Sequence, residues 1–143
     1  MGGQKLSISP TVFSTAGTLI DSGTVISRLP PDAYSALQGA FSKLMSKYPQ
    51  APALSILDTC YDFSKYGTVT VPKISLLFSG GTELDLQLPG IFYVKDISQV
   101  CLAFAGNDDA GDVGILGNVQ QLTFDVVYDI NAGKLGFGPG GCV

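Results

Sequence analysis

The sequence predicts a mainly β fold with one principal helix, and three observations carry that prediction. Short apolar runs recur between clusters of Gly, Ser, Thr, Asp and Pro, the pattern of strands punctuated by turns. Only one stretch, from Pro31 to about Tyr48, keeps apolar residues at spacings of three and four. With 143 residues, 45% hydrophobic and 14% charged, the chain is long and apolar enough for one domain over 1–143 with a genuine core.

Taken in order, residues 4 to 13 alternate through Leu6 and Ile8 to Val12-Phe13 around Pro10, which predicts an opening hairpin-like segment. Thr18-Leu19-Ile20 follows as an apolar strand that runs into Asp21-Ser22-Gly23-Thr24 and turns. Pro30-Pro31-Asp32 makes a helix entry, because proline is tolerated in a first turn and a carboxylate suits the positive helix end. Tyr34, Leu37, Phe41, Leu44 and Tyr48 form the apolar stripe of the helix. Pro49 to Pro52 ends it and starts a loop reaching Leu57.

Beyond that loop the period is two. Lys73–Phe78, a Ser79-Gly80-Gly81-Thr82 turn and Glu83–Leu88 predict a hairpin with one wet face. Further strands are expected at Ile91–Val94, Val100–Ala105, Val113–Leu116, Leu122–Asp129 and Lys134–Phe137. Gly136-Phe137-Gly138-Pro139-Gly140-Gly141 resembles a phosphate loop only superficially, since no helix can follow it, and reads as terminal coil.

The chemistry open to the chain is narrow. Eight basic against twelve acidic residues leave a net charge of −4, which argues against nucleic acid as a partner. The absence of histidine removes Ser-His-Asp, Cys-His and His-zinc arrangements together. Carboxylates are then the plentiful side chains for acid and base work near or below neutrality. Cys60, Cys101 and Cys142 lie far apart without metal or redox spacing, and buried thiols are one reading of them. Asn107-Asp108-Asp109-Ala110-Gly111-Asp112 lacks the spacing of a calcium loop and reads as solvated surface, so no metal site is expected. No apolar run approaches membrane-spanning length, no signal-peptide pattern opens the sequence and no Asn-x-Ser/Thr sequon is present.

Asp21 is therefore the candidate that matters. Asp-Ser-Gly alone is ordinary turn chemistry, and a carboxylate capping its own turn is its bland explanation. The flanks add information. Gly23 permits positive φ or close backbone approach. Ser22 and Thr24 bring hydroxyl donors that hold a carboxylate ionised. A second apolar strand closed by glycines, Gly114-Ile115-Leu116-Gly117 within Asp112–Asn118, would wall the turn if it lay beside the first.

Gly17–Thr24, Leu57-Asp58-Thr59-Cys60-Tyr61-Asp62, Val100–Phe104, Ile115-Leu116-Gly117-Asn118 and Val127-Tyr128-Asp129 together resemble the C-terminal lobe of a pepsin-type aspartic protease, in its plant, nepenthesin-like branch. The resemblance implies a pepsin-like lobe of twisted antiparallel sheets, with Asp21 as one of two catalytic aspartates for hydrolysis of a peptide or protein substrate by an activated water. It implies no cofactor. It places Ser22 in the interlobe hydrogen-bond lock, Thr24 on the outer oxygen of Asp21, and Gly23 against the substrate backbone. It also pairs Cys60 with Cys101 and leaves Cys142 for a partner elsewhere. Asp58-Thr59-Cys60 fails as a second catalytic turn because cysteine replaces the glycine.

One such turn makes half an enzyme, inactive alone and expecting an N-terminal lobe, with self-association through the exposed lobe interface. Two alternatives stand beside this. One is a homodimer of retroviral type, each copy lending Asp21; the other is a non-catalytic inhibitor or interaction module of the xylanase-inhibitor type. The expected location is secreted, in the apoplast, or vacuolar, with the plastid also open.

Overall fold

The structure, a computed structural model, describes residues 1–140. Its elements in chain order are α1 (Thr11–Ser14), β1 (Thr18–Ile20), β2 (Ser27–Leu29), α2 (Pro31–Leu44), β3 (Gln50–Ala51), β4 (Cys60–Tyr61), β5 (Ser75–Leu77) and β6 (Glu83–Asp85). They continue with α3 (Leu88–Ile91), β7 (Phe92–Asp96), β8 (Gln99–Leu102), β9 (Phe104–Gly106), β10 (Gly114–Leu116), α4 (Asn118–Gln121), β11 (Phe124–Asp129) and β12 (Lys134–Pro139). The chain is mainly β, as the alternating patterns predict, and α2 is the principal helix.

Pro31 and Asp32 open α2, and Lys43 in its last turn complements the negative end of the helix dipole. Ala33, Tyr34, Leu37 and Phe41 are its buried residues. The expected stripe is correct to Phe41 and then shifts: Leu44 is exposed, while Met45, just past the helix, is fully buried. Tyr48 also lies beyond the helix, where a turn returns it to the core against the rings of Phe63 and Tyr66. Phe41 shares this core with buried Tyr61, Phe63, Leu84, Leu102 and Phe104. Each such buried side chain contributes about 1.5–3 kcal/mol relative to an exposed one.

Among the described residues four sheets surround this core. One runs in the order β1-β10-β2-β9 and another β3-β4-β8-β7, with the two-stranded ribbons β5-β6 and β11-β12 beside them. The second sheet is antiparallel throughout. The first joins β10 to β2 antiparallel and also holds two parallel pairs, β1 with β10 and β2 with β9. Parallel partners need a long crossover, and here most of the chain lies between β1 and β10.

Three expectations are corrected. Among the described residues the opening segment forms no strand: Leu6 and Ile8 make only local backbone bonds, and Pro10 leads into the single turn of α1. Val100–Ala105 is two strands, not one. The chain breaks at Ala103, whose N–H turns to the Ile91 carbonyl at 2.8 Å, so β8 serves the second sheet and β9 the first. Residues 136–139, read as terminal coil, belong to β12 and pair fully with β11. Glycine weakens a strand without forbidding it, and cross-strand pairing with Val127 and Asp125 overrides its preference. The β5-β6 hairpin matches expectation, closing through Gly81 at φ +80° with Leu84 and Leu86 inward and Glu83 and Asp85 outward.

Cys60 and Cys101 are register partners on β4 and β8 and form a disulfide. They sit in a second apolar cluster with Ile26, Leu57, Ala103, Ala105 and Val119. Cys142 lies outside the described residues.

Candidate active site

β1 and β10 lie side by side as expected, with Leu19 opposite Ile115 and Ile20 opposite Leu116. The Asp21 N–H continues the ladder by donating to the Leu116 carbonyl at 3.1 Å. Asp21 is thus the residue at which β1 leaves the sheet, its backbone fixed by a neighbour from the far end of the chain. The chain then closes a turn, Thr24 N–H to Asp21 carbonyl at 3.2 Å.

Within this turn the carboxylate is held at both oxygens. Oδ1 accepts the Gly23 N–H at 2.9 Å, and Oδ2 accepts the Thr24 hydroxyl at 2.5 Å. Both bonds favour the anion. The Thr24 hydroxyl first, then the Gly23 amide, holds the Asp21 carboxyl below the usual carboxylate value, against a smaller opposing effect of desolvation. Of the two reasons expected for Gly23, positive φ or close approach, the structure uses no positive φ. Its φ is outside the left-handed region, and the constraint is proximity, since a Cβ there would sit 3.1 Å from Oδ1.

Gly117 is the sharper constraint. A Cβ on it would lie 2.8 Å from the carbonyl oxygens of both Thr24 and Val25. Here the segment leaving β10 crosses the segment leaving the Asp21 turn, in backbone contact. Asn118 N–H donates to Thr24 O at 2.7 Å and Val119 N–H to Val25 O at 3.2 Å, while the Asn118 side-chain amide donates to Ser22 O at 3.1 Å. Only a residue without a side chain fits at this crossing.

Beneath it runs a buried polar chain with no signal in the sequence. The Gly117 N–H donates to Ser27 Oγ at 2.9 Å, and the Ser27 hydroxyl donates to Gln120 Oε1. The Gln120 amide donates to the carbonyls of Gly90 and Ala103, each at 2.9 Å. Ser27 and Gln120 are both completely buried. Every polar atom of the Gln120 side chain is satisfied, the condition under which burying it is tolerable. In sequence, Val119-Gln120-Gln121 reads as an ordinary polar turn, and Ser27 as one more strand hydroxyl.

The remaining candidates are placed elsewhere. Ser22 is exposed and engages Asn118 through its backbone. Asp58 is held by the Tyr34 hydroxyl of α2 and, at 2.9 Å, by Thr59. Burial pushes the Tyr34 hydroxyl well above its ordinary value, with the Asp58 hydrogen bond adding to it. In the Asn107–Asp112 loop the acidic side chains bond their own backbone: Asp109 accepts from Gly111 N–H at 2.7 Å and Asp112 from Asp109 N–H at 3.1 Å.

The chain that builds this site matches the family "Xylanase inhibitor C-terminal" over residues 1–139. The chain belongs to this family. It is 61% identical over 142 residues to an aspartyl protease family protein of Arabidopsis thaliana, covering 99% of this chain and 30% of that protein. It is 50% identical to the aspartyl protease AED1 of the same plant, again over 99% of this chain and 30% of the relative. With the aspartic proteinase nepenthesin-2 of Nepenthes gracilis it shares 35% identity over 99% of this chain and 33% of the relative. The crystal structure of edgp superposes with a TM-score of 0.82, covering 96% of this chain and 37% of that one; at 16% identity the match shows the fold. The fold and sequence are those of the C-terminal lobe of a plant pepsin-like aspartic protease. The chain spans about a third of the length of these curated relatives.

Proposed function

We propose that this chain contributes Asp21 as one of the two catalytic aspartates of a plant aspartic endopeptidase, the other coming from an N-terminal lobe. The observation that carries this reading is a carboxylate fixed at both oxygens yet partly exposed and, among the described residues, bound to no element outside its own turn. An inhibitor or interaction module has no need of such a group.

Two carboxylates about one hydrogen bond apart cannot both ionise, so a pair retains one proton between them. The anionic member takes a proton from a water molecule, whose oxygen attacks the peptide carbonyl carbon. The protonated member hydrogen-bonds the developing oxyanion. Collapse of the tetrahedral intermediate breaks the C–N bond as a proton passes to the leaving amine. In the isolated chain Asp21 has only donors around its carboxylate, which keep it anionic. It supplies the base but not the acid, so the chain alone is inactive.

In this reading Ser22 lies in the hydrogen-bond lock between lobes, Thr24 restrains the outer carboxylate oxygen, and Gly23 faces the substrate backbone. The β11-β12 ribbon supports docking of a second lobe, because it leaves Val127, Tyr128, Leu135 and, at 89% exposure, Ile130 in solvent. The same surface drives self-association of the isolated chain. The Cys60–Cys101 disulfide favours an oxidising compartment, the apoplast or vacuole, over reducing ones.

The test is cleavage of a denatured protein at acidic pH over a concentration series, with the chain alone and with a separately produced N-terminal lobe of an aspartic protease relative. Activity only in the mixture, lost with Asp21→Ala, is the expected outcome. Activity of the chain alone, rising with the square of its concentration, would establish a homodimer instead.

A further inference from the structure

The sequence contains a single arginine, Arg28, and the fold places it in the middle of the sheet that carries Asp21. It lies on β2, in register with Ile115 of β10, which is in turn in register with Leu19 of β1. Register partners project from the same face of a sheet, and residues two apart along a strand share a face. Leu19 and Asp21 are two apart, and Asp21 still bonds the ladder. Leu19, Ile115, Arg28 and the Asp21 carboxylate therefore lie on one face. That face is open at Leu19, which is 57% exposed. Neighbouring Ser27 turns the other way, into the buried network with Gln120.

Arg28 is half-buried, and among the described residues no side-chain hydrogen bond or ion pair involves its guanidinium. A central strand position normally holds an apolar side chain. A guanidinium carries five donors in a planar fork suited to a carboxylate. Adjacent strands are about 4.8 Å apart and residues about 3.3 Å apart along a strand, which puts the Arg28 and Asp21 backbones about 12 Å apart. An extended peptide passing Asp21 covers that span in three to four residues, and the length of the arginine side chain shortens it by about one.

From this placement we infer that Arg28 is a specificity-determining residue, which pairs with a substrate carboxylate two or three residues from the scissile bond. The carboxylate is that of an Asp or Glu side chain or of the peptide C-terminus. The inference rests on the proposed protease function, since it needs substrate to lie across the Asp21 face. Ile115 and Leu19 line the interval between the two charges and favour apolar side chains there.

The test uses the two-lobe protein and a peptide series with Glu or Gln at each position two and three residues from the cleaved bond, on either side. Further pairs end at those positions in a free carboxylate or an amide. The wild type should cleave the carboxylate member of one pair about tenfold faster in kcat/KM, as expected of a charge-assisted pair. Arg28→Gln should bring that ratio to about one while still cleaving the Gln peptide, and Arg28→Lys should retain part of the preference. Cleavage with a ratio near one throughout in the wild type overturns the inference and leaves the protease reading standing. So does a ratio that survives Arg28→Gln. Failure to cleave any peptide removes the protease reading, and the inference with it.

Discussion

The chain contains two turns that look alike: Leu19-Ile20-Asp21-Ser22-Gly23 and Ile56-Leu57-Asp58-Thr59-Cys60. Each runs from two apolar residues into aspartate and a hydroxyl residue, yet the two carboxylates end in opposite circumstances. Among the described residues the Asp21 carboxylate is bonded only by its own turn, at a sheet exit. Asp58 is committed to the principal helix through the Tyr34 hydroxyl. The third position makes the difference. Gly23 brings its amide to the carboxylate with no side chain in the way, whereas Cys60 is drawn into β4 and the disulfide. An aspartate in a polar turn becomes a reagent or an anchor according to what the next residues allow around it.

The comparison breaks most severely at the crossing behind Asp21. Gly117→Ala places a methyl group 2.8 Å from two carbonyl oxygens and should destabilise the chain by about 3 kcal/mol. Denaturant unfolding measures this, and NMR should show the Asp21 turn displaced while Asp58 keeps its signals. A neutral Gly117→Ala would mean that the crossing does not set the Asp21 turn.

Next in size is the buried amide beneath the crossing. Gln120→Leu removes the amide donor to the carbonyls of Gly90 and Ala103 and the acceptor of the Ser27 O–H, and should lower unfolding free energy by about 2 kcal/mol. Because Ser27 also accepts from Gly117 N–H, the Asp21 turn should again respond and the Asp58 turn should not.

Tyr34→Phe reverses the pattern. Losing the hydrogen bond to Asp58 should cost about 1 kcal/mol and move the Asp58 turn, with Asp21 unchanged. It also has a pH signature. The Tyr34 hydroxyl is raised above its ordinary value of 10.0 in the fold, so the folded state holds this proton more tightly than the unfolded state. That stabilisation is complete below pH 10.0 and is lost as pH rises beyond it, so the alkaline fall in stability should flatten in Tyr34→Phe.

The smallest effect is at Thr24. Thr24→Val removes the larger of the two influences that lower the Asp21 carboxyl, and its titration, followed by carbon-13 NMR, should move up toward the ordinary 3.8. The sign for stability is opposite to that of Tyr34. The lowered carboxyl stabilises the fold above pH 3.8, and this is lost as pH falls through the folded value. The variant should therefore lose stability near neutrality and depend less on pH in the acid range.

The contrast also shows what a sequence makes legible. The hairpin at Ser79-Gly80-Gly81-Thr82, the apolar stripe of α2 and the Asp21 turn follow from period and turn chemistry, which are local. The parallel pairing of β1 with β10, suggested only by two apolar strands ending at special residues, depends on contacts between distant parts of the chain. Nothing local marks Ser27 and Gln120 as buried partners, because their polarity is hidden by each other. Residues 136–139 look like coil because glycine is a poor strand former, and only the pairing with β11 reveals the strand. The break at Ala103 was invisible because both of its neighbours suit a strand; two sheets, and not one, receive them.

The most direct measurement compares the two aspartates in the two-lobe protein. Asp21→Asn and Asp58→Asn would be assayed side by side for peptide cleavage at acidic pH, each rate normalised to folded protein. Asp21→Asn should abolish cleavage, while Asp58→Asn should leave kcat within about twofold of wild type and lower only stability. Retained cleavage in Asp21→Asn, or equal loss in both, would contradict the assignment of Asp21 as the catalytic aspartate of this lobe.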